Sequence, residues 1–359
     1  MLEKVTLIIP THNRHHYLTR ILDYFSDINL KIFVADSSSR KYPNYKNYKI
    51  NYFHYPNYTF FEKLSEITQK IETTYALLCA DDDFIIPTSI EKCINFLENN
   101  KDYSSAQGYY VQIVNENGKI NFKPIYTYCK KYIIDANTPE ERIIQNMSLY
   151  MHLFYSVHRS EYLIQVFSLP PIKNLSLIEI AIAMISLING KHKMLPIFYC
   201  AREYIEESAG KTTPSLINIV KDPNMKNDYE NFINSISKYL SKTHGYNMED
   251  SRKYVLKALD CYFNKFVPYF YSFEEAYSSI NRRRNLIILL IQVLFPRIHY
   301  LIKHKTFSQN YENLSASNYS NFEKIRKSVL FHSNVGRKSP LKRIFSSSTI
   351  QKMKLRYNL

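Results

Sequence analysis

Short apolar runs alternate with amphipathic stretches along the first third of the chain. The strand-like runs lie at 5–10, 31–35, 50–54 and 75–80. Apolar residues recur at helical spacing over about 15–26 and 60–72, and Pro87 opens a further helix to about residue 97. Strands that alternate with helices across short turns predict an α/β fold, with a mainly parallel sheet flanked by helices.

The pattern changes after residue 104. Two apolar runs flank the polar residues 115–118 and predict a hairpin. Helices are predicted at 138–150, from Ser160 onward and at 174–189, with further strands at 153–158 and 193–201. Beyond about 215 the chain reads as helical, at 226–242, 248–266 and 272–303. We therefore expect an α/β domain at 1–210, a helical region at 211–305 and a basic, flexible tail at 306–359.

Three polar clusters stand where predicted strands end. They are residues 11–14, 36–39 and 81–83. Thr11 or Asn13 is expected to cap the helix that follows. Ligands of parallel α/β sheets bind beyond the carboxyl ends of the strands. The three clusters are therefore expected to converge on one crevice.

The run Asp81-Asp82-Asp83 carries the most chemical information. It follows an apolar strand, and side chains alternate along an extended segment, so Asp81 and Asp83 are expected to point the same way. Two carboxylates on one side suit Mg²⁺ or Mn²⁺, which leave positions for phosphate oxygens. Such a metal would neutralise a diphosphate leaving group. With Asp36 at a neighbouring strand end, the pattern favours nucleotide-diphosphate binding over a solvated acidic turn.

At this point the sequence resembles the glycosyltransferase family 2 pattern on the GT-A (Rossmann-like) fold. The resemblance rests on VTLIIPTHNR, then ADSSS, then CADDDFIIP, and covers about residues 4–205. Within that family the chain looks most similar to bacterial surface-polysaccharide transferases. The resemblance implies a nucleotide-sugar donor, a UDP-sugar by expectation, a divalent metal on a DxD-type motif, and a single, inverting displacement.

The resemblance also assigns residues. Donor binding is carried over to Pro10, Thr11, Asn13, Arg14, Asp36, Ser37, Asp81 and Asp82, and metal binding to Asp81 and Asp83. For Asp36 the alternative is an Asx-turn residue that closes its loop. Lys63 could reach a phosphate, and the alternative is a solvated helix lysine. His158 and Arg159 could face the acceptor or end a strand.

An inverting transfer needs a general base for the acceptor hydroxyl. The resemblance places it at Glu179, which is the only acid in the apolar run 175–189. Burial is expected to raise the pKa of this carboxyl; the alternative is a partly exposed helix acid. A late metal-binding histidine of the family is missing from AREYIEES, where Glu206 or water could substitute.

Charge and composition bound the partners and the compartment. The formal net charge is +15, and residues 320–359 carry ten Lys and Arg against one acid, Glu323. This tail, together with the apolar segment within 282–305 and its flanking cations, suggests an anionic membrane surface and a lipid-linked or glycan acceptor. The alternatives are a solvated tail and, for 282–305, a core helix that packs in the C-terminal bundle. No signal peptide or membrane-spanning run is recognised, and five scattered cysteines suit a reducing compartment. We expect a cytoplasmic protein, peripheral on the inner face of the cell membrane.

Three alternatives stay open on sequence alone. The same core could be a nucleotidyltransferase, although its usual Gly-rich loop is missing, since only 6 glycines are present. It could be a non-catalytic, donor-binding scaffold of a polysaccharide assembly complex. The basic tail could also make the protein a nucleic-acid binder, which is the least expected of the three.

Overall fold

The computed structural model describes residues 1–116, 119–125, 132–203, 225–270 and 320–331. The strands are β1 (Val5–Thr11), β2 (Lys31–Asp36), β3 (Asn51–His54), β4 (Tyr75–Leu78), β5 (Phe84–Ile85), β6 (Tyr103–Glu116), β7 (Lys119–Pro124), β8 (Ile133–Ile134), β9 (Val157–Arg159) and β10 (Lys191–Glu203). The helices are α1 (His15–Phe25), α2 (Phe60–Thr68), α3 (Pro87–Asn99), α4 (Pro139–Leu149), α5 (Ser160–Phe167), α6 (Leu175–Asn189), α7 (Lys226–His244) and α8 (Met248–Phe270). Residues 320–331 form a further helix, α9.

All ten strands belong to one mixed sheet. Its order is β3-β2-β1-β4-β9-β6-β10-β5, with β7 beside β6 and β8 beside β10. Strands β3, β2, β1 and β4 run parallel, whereas β9 lies antiparallel between β4 and β6. The predicted α/β fold with a mainly parallel sheet is confirmed. Because β1, β2 and β4 are parallel neighbours, their carboxyl ends lie at one edge, where the polar clusters begin.

Burial explains why these segments fold as they do. Every residue of β1 is buried, as its wholly apolar sequence predicts for a central strand. Helix α2 begins with a capping box in which Thr59 and Glu62 satisfy each other's backbone N–H groups. Asn174 caps α6, and nearly every residue of α6 from Leu177 to Ile188 is buried. These elements hold the strand ends rigidly.

Two local predictions are wrong. Of the strand expected at 153–158 only β9 forms, because Ser156 N–H bonds to the carbonyl of Leu153, 3.0 Å away, and closes a turn. Neither Thr11 nor Asn13 caps α1, which has Arg14 at its N-cap and no side-chain cap. Asn13 has φ 54° instead, and its Oδ1 accepts from Ser39 N, 3.2 Å away. The side chain thus ties the first loop to the second.

Part of the expected flexible tail is an ordered helix. On α9, Phe322 stacks on Phe198 of β10 with ring centroids 4.3 Å apart, and Ile325 and Val329 are buried. The expectation of a loose chain over 306–359 therefore fails for 320–331. The boundary near 210, the segment 282–305 and the rest of the tail lie outside the described residues. Within the described part of the chain, no helix has the length and apolar character needed to cross a bilayer.

Two buried histidines, His158 and His192, make the fold sensitive to acid. Burial lowers the pKa of His158 to about 4 and that of His192 to about 3. Both histidines are neutral in the folded state. Their contribution to the free energy of unfolding is therefore complete above the pKa of an unfolded histidine, about 6.5, and is lost as the pH falls toward their pKa values in the folded protein. Between pH 7.5 and 5 we expect each to remove about 2 kcal/mol from the free energy of unfolding.

Urea denaturation at the two pH values measures this loss. His192→Asn should flatten the pH dependence, whereas His244→Asn, at an exposed histidine of α7, should leave it unchanged. Equal slopes in all three proteins would show that the buried histidines do not govern acid stability.

Candidate functional site

The carboxyl ends of β1 and β4 bring buried acids against a cation. Asp81 Oδ2 accepts from Thr11 Oγ1 at 2.6 Å, and its Oδ1 accepts from Arg14 Nη2. Arg14 Nη1 donates to Asp82 Oδ2 at 3.0 Å. Arg14 is 24% exposed while Asp81 is fully buried, so the guanidinium lies between the acids and solvent. The predicted convergence of the first and third clusters is observed.

Asp83 lies in a separate set of contacts. Its Oδ1 accepts from Glu203 N at 2.8 Å, and its Oδ2 accepts from the Tyr155 hydroxyl and faces Arg202 Nε at 3.4 Å. Residues 81–83 form a turn, with Asp83 N–H bonded to Ala80 O, rather than an extended segment. The alternation argument for Asp81 and Asp83 therefore fails, since Arg14 holds Asp81 and Arg202 faces Asp83.

Asp36 ends β2 beside Thr11, with which it pairs in register. Its Oδ1 accepts from Ser38 N at 2.8 Å, which is the Asx-turn that sequence reasoning gave as the alternative. Its Oδ2 accepts from His15 Nε2 at 2.9 Å and from the Tyr52 hydroxyl. Burial raises the pKa of Asp36, but these hydrogen bonds together lower it by more, so the net pKa lies below the usual value of an aspartate. Asp36 is an ionised, enclosed acceptor; its contact with a nucleoside stays a prediction.

Lys63 is not the solvated helix lysine of the alternative interpretation. It is 3% exposed, and its Nζ donates to Thr11 O at 2.6 Å and to Ser37 Oγ at 3.1 Å. Burial lowers the pKa of Lys63 to about 8, although the negative charges of Asp81 and Asp36 act to raise it. A buried cation therefore joins the ends of β1 and β2 within the candidate site.

The remaining residues predicted from sequence divide between the site and the core. Pro10 is buried in β1 opposite Ala35, one position before Thr11. His158 is buried and donates to Leu153 O at 2.8 Å. Arg159 bonds to carbonyls at the end of α3, 2.9 Å from Leu97 O. Since their contacts stabilise the core, nothing here supports an acceptor role for His158 or Arg159.

Arg20 of α1 is a site residue that sequence reasoning missed. It is 4% exposed, pairs with the Glu203 carboxylate and donates from Nη2 to Asp82 O at 2.7 Å. Glu203 in turn holds Asp83 through its backbone N–H. Arg20 thus fastens the acidic turn to the end of β10. Its only sequence signal is a cation on the otherwise apolar face of α1.

Replacing Arg20 with methionine should lower the free energy of unfolding by about 3–5 kcal/mol, because Glu203 would be left buried without its cation. Urea denaturation measures the loss. The double variant Arg20→Met, Glu203→Met removes both charges and should recover a large part of it. A double variant no more stable than the single one would show that the unpaired charge is not the cause.

Glu179 lies on the second turn of α6 and pairs with a histidine. Its Oε2 is 3.1 Å from His152 Nδ1, and the two side chains are 26% and 32% exposed. Burial raises the pKa of Glu179, but His152 and Arg202 lower it more, so the net pKa is below its usual value. The expected raised pKa is therefore wrong. Nothing in the sequence around His152 had pointed to this contact.

The acidic turn suits a divalent cation that shares its shell with phosphate. Carboxylate oxygens are the donors that Mg²⁺ and Mn²⁺ prefer. Burial raises the pKa of Asp81 to about 6, although the positive charge of Arg14 opposes this change. Burial and the negative charge of Asp82 raise the pKa of Asp83 to about 7. A nearby dication would favour their ionised forms. Within the described ranges no three His, Cys, Asp or Glu side chains form a complete cage, so phosphate or water would complete the shell.

Comparisons with known proteins agree with this geometry. The sequence profile described as Glycosyl transferase family 2 matches residues 6–154, which contain β1, β2, β4 and the acidic turn. The crystal structure of S. aureus TarS 1–349 in complex with UDP-GlcNAc has a TM-score of 0.55 at 15% identity, over 96% of this chain and 95% of that one. The S. aureus TarS 1–349 structure gives 0.51 at 14% identity, over 96% and 94%. The comparison with curated proteins found no match.

The two findings answer different questions. At this identity the likeness to TarS shows the fold, and it confirms the GT-A-like arrangement predicted from the sequence. The profile match covers the strand ends at which Arg14, Asp36 and Asp81 meet. Glu179 lies beyond the matched residues. Residues 6–154 therefore match the glycosyltransferase family 2 profile, and the chain shares the fold of S. aureus TarS.

Proposed function

We propose that the protein transfers a sugar from a UDP-sugar to a hydroxyl of a glycan or glycolipid in bacterial surface-polysaccharide synthesis, with inversion at the anomeric carbon. One observation carries the proposal: Asp36, Asp81 and Asp82 meet at one sheet edge with Arg14 and Lys63 among them. The S. aureus TarS structure, which contains UDP-GlcNAc, supports a UDP-sugar donor on the same fold.

The chain's own residues would divide the work of donor binding. Asp36 and Ser37, at the end of β2, would meet the nucleoside, and Pro10, Thr11 and Asn13 would line the loop beside it. Arg14 is placed to attract phosphate oxygens, because it is partly exposed beside Asp81 and Asp82. Lys63, whose Nζ donates to Thr11 O and Ser37 Oγ, would add positive charge at the same strand ends. Asp81 and Asp83 would hold Mn²⁺ or Mg²⁺, which when bound neutralises the charge of the diphosphate leaving group.

Glu179 is the proposed general base. Its lowered pKa keeps the carboxylate ionised at neutral pH and able to accept the proton of the acceptor hydroxyl. Arg202, whose charge acts on Glu179, also faces Asp83 at 3.4 Å, which supports a base beside the acidic turn. As the acceptor oxygen bonds to the anomeric carbon, the bond to the diphosphate breaks and the proton passes to Glu179.

Thermal unfolding with UDP, with Mn²⁺ and with both tests the donor site, because a ligand that binds the folded state raises Tm. We expect the largest rise with both, and loss of the Mn²⁺-dependent part in Asp83→Asn. Asp102→Asn is the control, since this exposed residue pairs with Lys191 outside the site. UDP release from a panel of UDP-sugars then identifies the donor. Absence of any rise with UDP, GDP or dTDP would overturn the proposal.

We further propose that the enzyme works in the cytoplasm, at the inner face of the cell membrane. The cationic residues of 320–359 would attract anionic lipid, where a lipid-linked acceptor is found. Sedimentation with vesicles of phosphatidylcholine with and without phosphatidylglycerol tests this. Equal sedimentation with both vesicles would remove the electrostatic argument.

A further inference from the structure

The His152–Glu179 pair is held from several elements at once. His152 lies in the loop after α4, and its carbonyl accepts from Gln107 Nε2 of β6 at 3.3 Å. The ring of Tyr150 packs edge-on against His152, with centroids 4.8 Å apart, and against Tyr262 of α8, at 4.6 Å. The loop therefore contacts both the sheet and the C-terminal helical region.

The backbone of this loop is strained at Tyr150. Its φ is 26°, a positive value that a bulky L-residue rarely adopts. Such strain persists only where the surrounding structure imposes it, and it concentrates at functional sites. Here the strained residue places its ring, 7% exposed, between His152 and Tyr262. The packing restricts the positions that the imidazole can take.

The contact leaves one oxygen of Glu179 available. His152 Nδ1 lies 3.1 Å from Oε2, and Oε1 has no hydrogen-bond partner among the described residues. The charged or titratable groups that act on Glu179 are His152, Arg202 and Tyr262. Arg202 also faces Asp83 at 3.4 Å, so its charge acts on both Glu179 and the acidic turn.

We propose that His152 is a positioning residue that binds Oε2 of Glu179 and thereby orients Oε1 toward the acceptor hydroxyl. The inference rests on the proposed function, in which Glu179 takes that proton. An orienting hydrogen bond of this kind fixes the base in the geometry that proton transfer needs. In the step itself, the hydroxyl proton moves to Oε1, the oxygen bonds to the anomeric carbon, and the diphosphate departs with its electron pair.

The test compares His152→Ala and His152→Asn with the wild-type enzyme. It measures UDP release from the UDP-sugar that the panel of donors selects. His152→Ala should lower kcat by roughly 10- to 100-fold, the usual cost of losing an orienting partner, without changing donor KM. His152→Asn keeps a neutral donor near the Nδ1 position and should recover part of kcat. His244→Asn is the matched control outside the site and should behave as wild type.

The pH profile of kcat provides a readout that a purely structural role would not move. His152 lowers the pKa of Glu179, so both His152 variants should shift the acidic limb to higher pH. Asp81 and Asp83 are the same in all the proteins, so the difference between profiles reports the base. Near-UV circular dichroism checks that each variant is folded.

The outcomes separate the two proposals. If the wild-type enzyme releases UDP and both variants match it in kcat and in profile, the positioning role fails while the transferase proposal stands. A limb that moves to lower pH, or a loss confined to donor KM, also overturns it. If the wild-type enzyme binds no nucleotide and releases none, the proposed function fails, and the role of His152 fails with it.

Discussion

Replacing Asp83 with asparagine should lower kcat for sugar transfer by roughly 100- to 1,000-fold, the usual cost of removing one group that stabilises transition-state charge. The carboxylate accepts from Glu203 N and from the Tyr155 hydroxyl and faces Arg202. Asparagine has the same shape but no charge, and its NH2 group cannot accept the hydrogen bond that the oxygen it replaces accepts. The variant would lose a proposed metal ligand and the negative charge that Arg202 faces at this position.

Steady-state UDP release over a range of Mn²⁺ concentrations measures the effect. If Asp83 binds the metal, higher Mn²⁺ should restore part of the activity of Asp83→Asn, because weaker binding is offset by mass action. Asp81→Asn should also weaken the metal dependence, since Asp81 is the second proposed ligand. Asp102→Asn controls for the loss of an acid elsewhere. If Asp83→Asn keeps the kcat and the Mn²⁺ dependence of the wild type, the proposal that Asp83 binds the metal is wrong.

The sheet could be predicted from the sequence because its signals are local. Seven consecutive apolar or small residues make β1 a central strand whatever follows, and the helical spacing of α1 is contained within eleven residues. The crevice could be predicted as well, since the rule for parallel strands needs only the strand ends. Asp36, Asp81 and Arg14 accordingly meet where the pattern placed them.

Side-chain directions within the site could not be predicted in the same way. The turn at 81–83 depends on the bond from Asp83 N–H to Ala80 O, and it separates Asp83 from Asp81. Lys63 looked like a surface cation because its helix carries other polar residues, whereas its Nζ lies against Thr11 O, 52 positions away in the sequence. Such contacts are decided by packing between elements, for which one sequence carries no direct signal.

The most distant contacts left even less trace. Arg20 meets Glu203 across 183 positions, and His152 meets Glu179 from a loop without a recognisable motif. Glu179 itself was identified through the family resemblance, supported by its place as the only acid in the apolar run 175–189. The sequence did not point to His152 as its partner, and so the direction of the pKa shift of Glu179 was predicted wrongly. The lesson is that a buried acid should be considered together with the cations that the fold can bring to it.

Replacing Glu179 with glutamine should lower kcat by roughly 100- to 10,000-fold, the range that general-base catalysis contributes. Glutamine preserves the length of the side chain and can still accept from His152 through its amide oxygen, but it cannot take the acceptor proton. Because Glu179 is 26% exposed at the surface of α6, the substitution should leave the fold intact. Tm shifts with UDP and Mn²⁺ should match those of the wild type.

This pairing of lost turnover with unchanged donor binding distinguishes a base from a donor ligand. Glu140→Gln is the matched control. Glu140 lies on α4, where it accepts from the Tyr246 hydroxyl, and it has no contact with the acidic turn among the described residues. Glu179→Gln should also lose the acidic limb of the kcat profile that the carboxylate produces in the wild type. Activity within a few-fold of wild type would place the base elsewhere. Weakened UDP binding would instead assign Glu179 to the donor site.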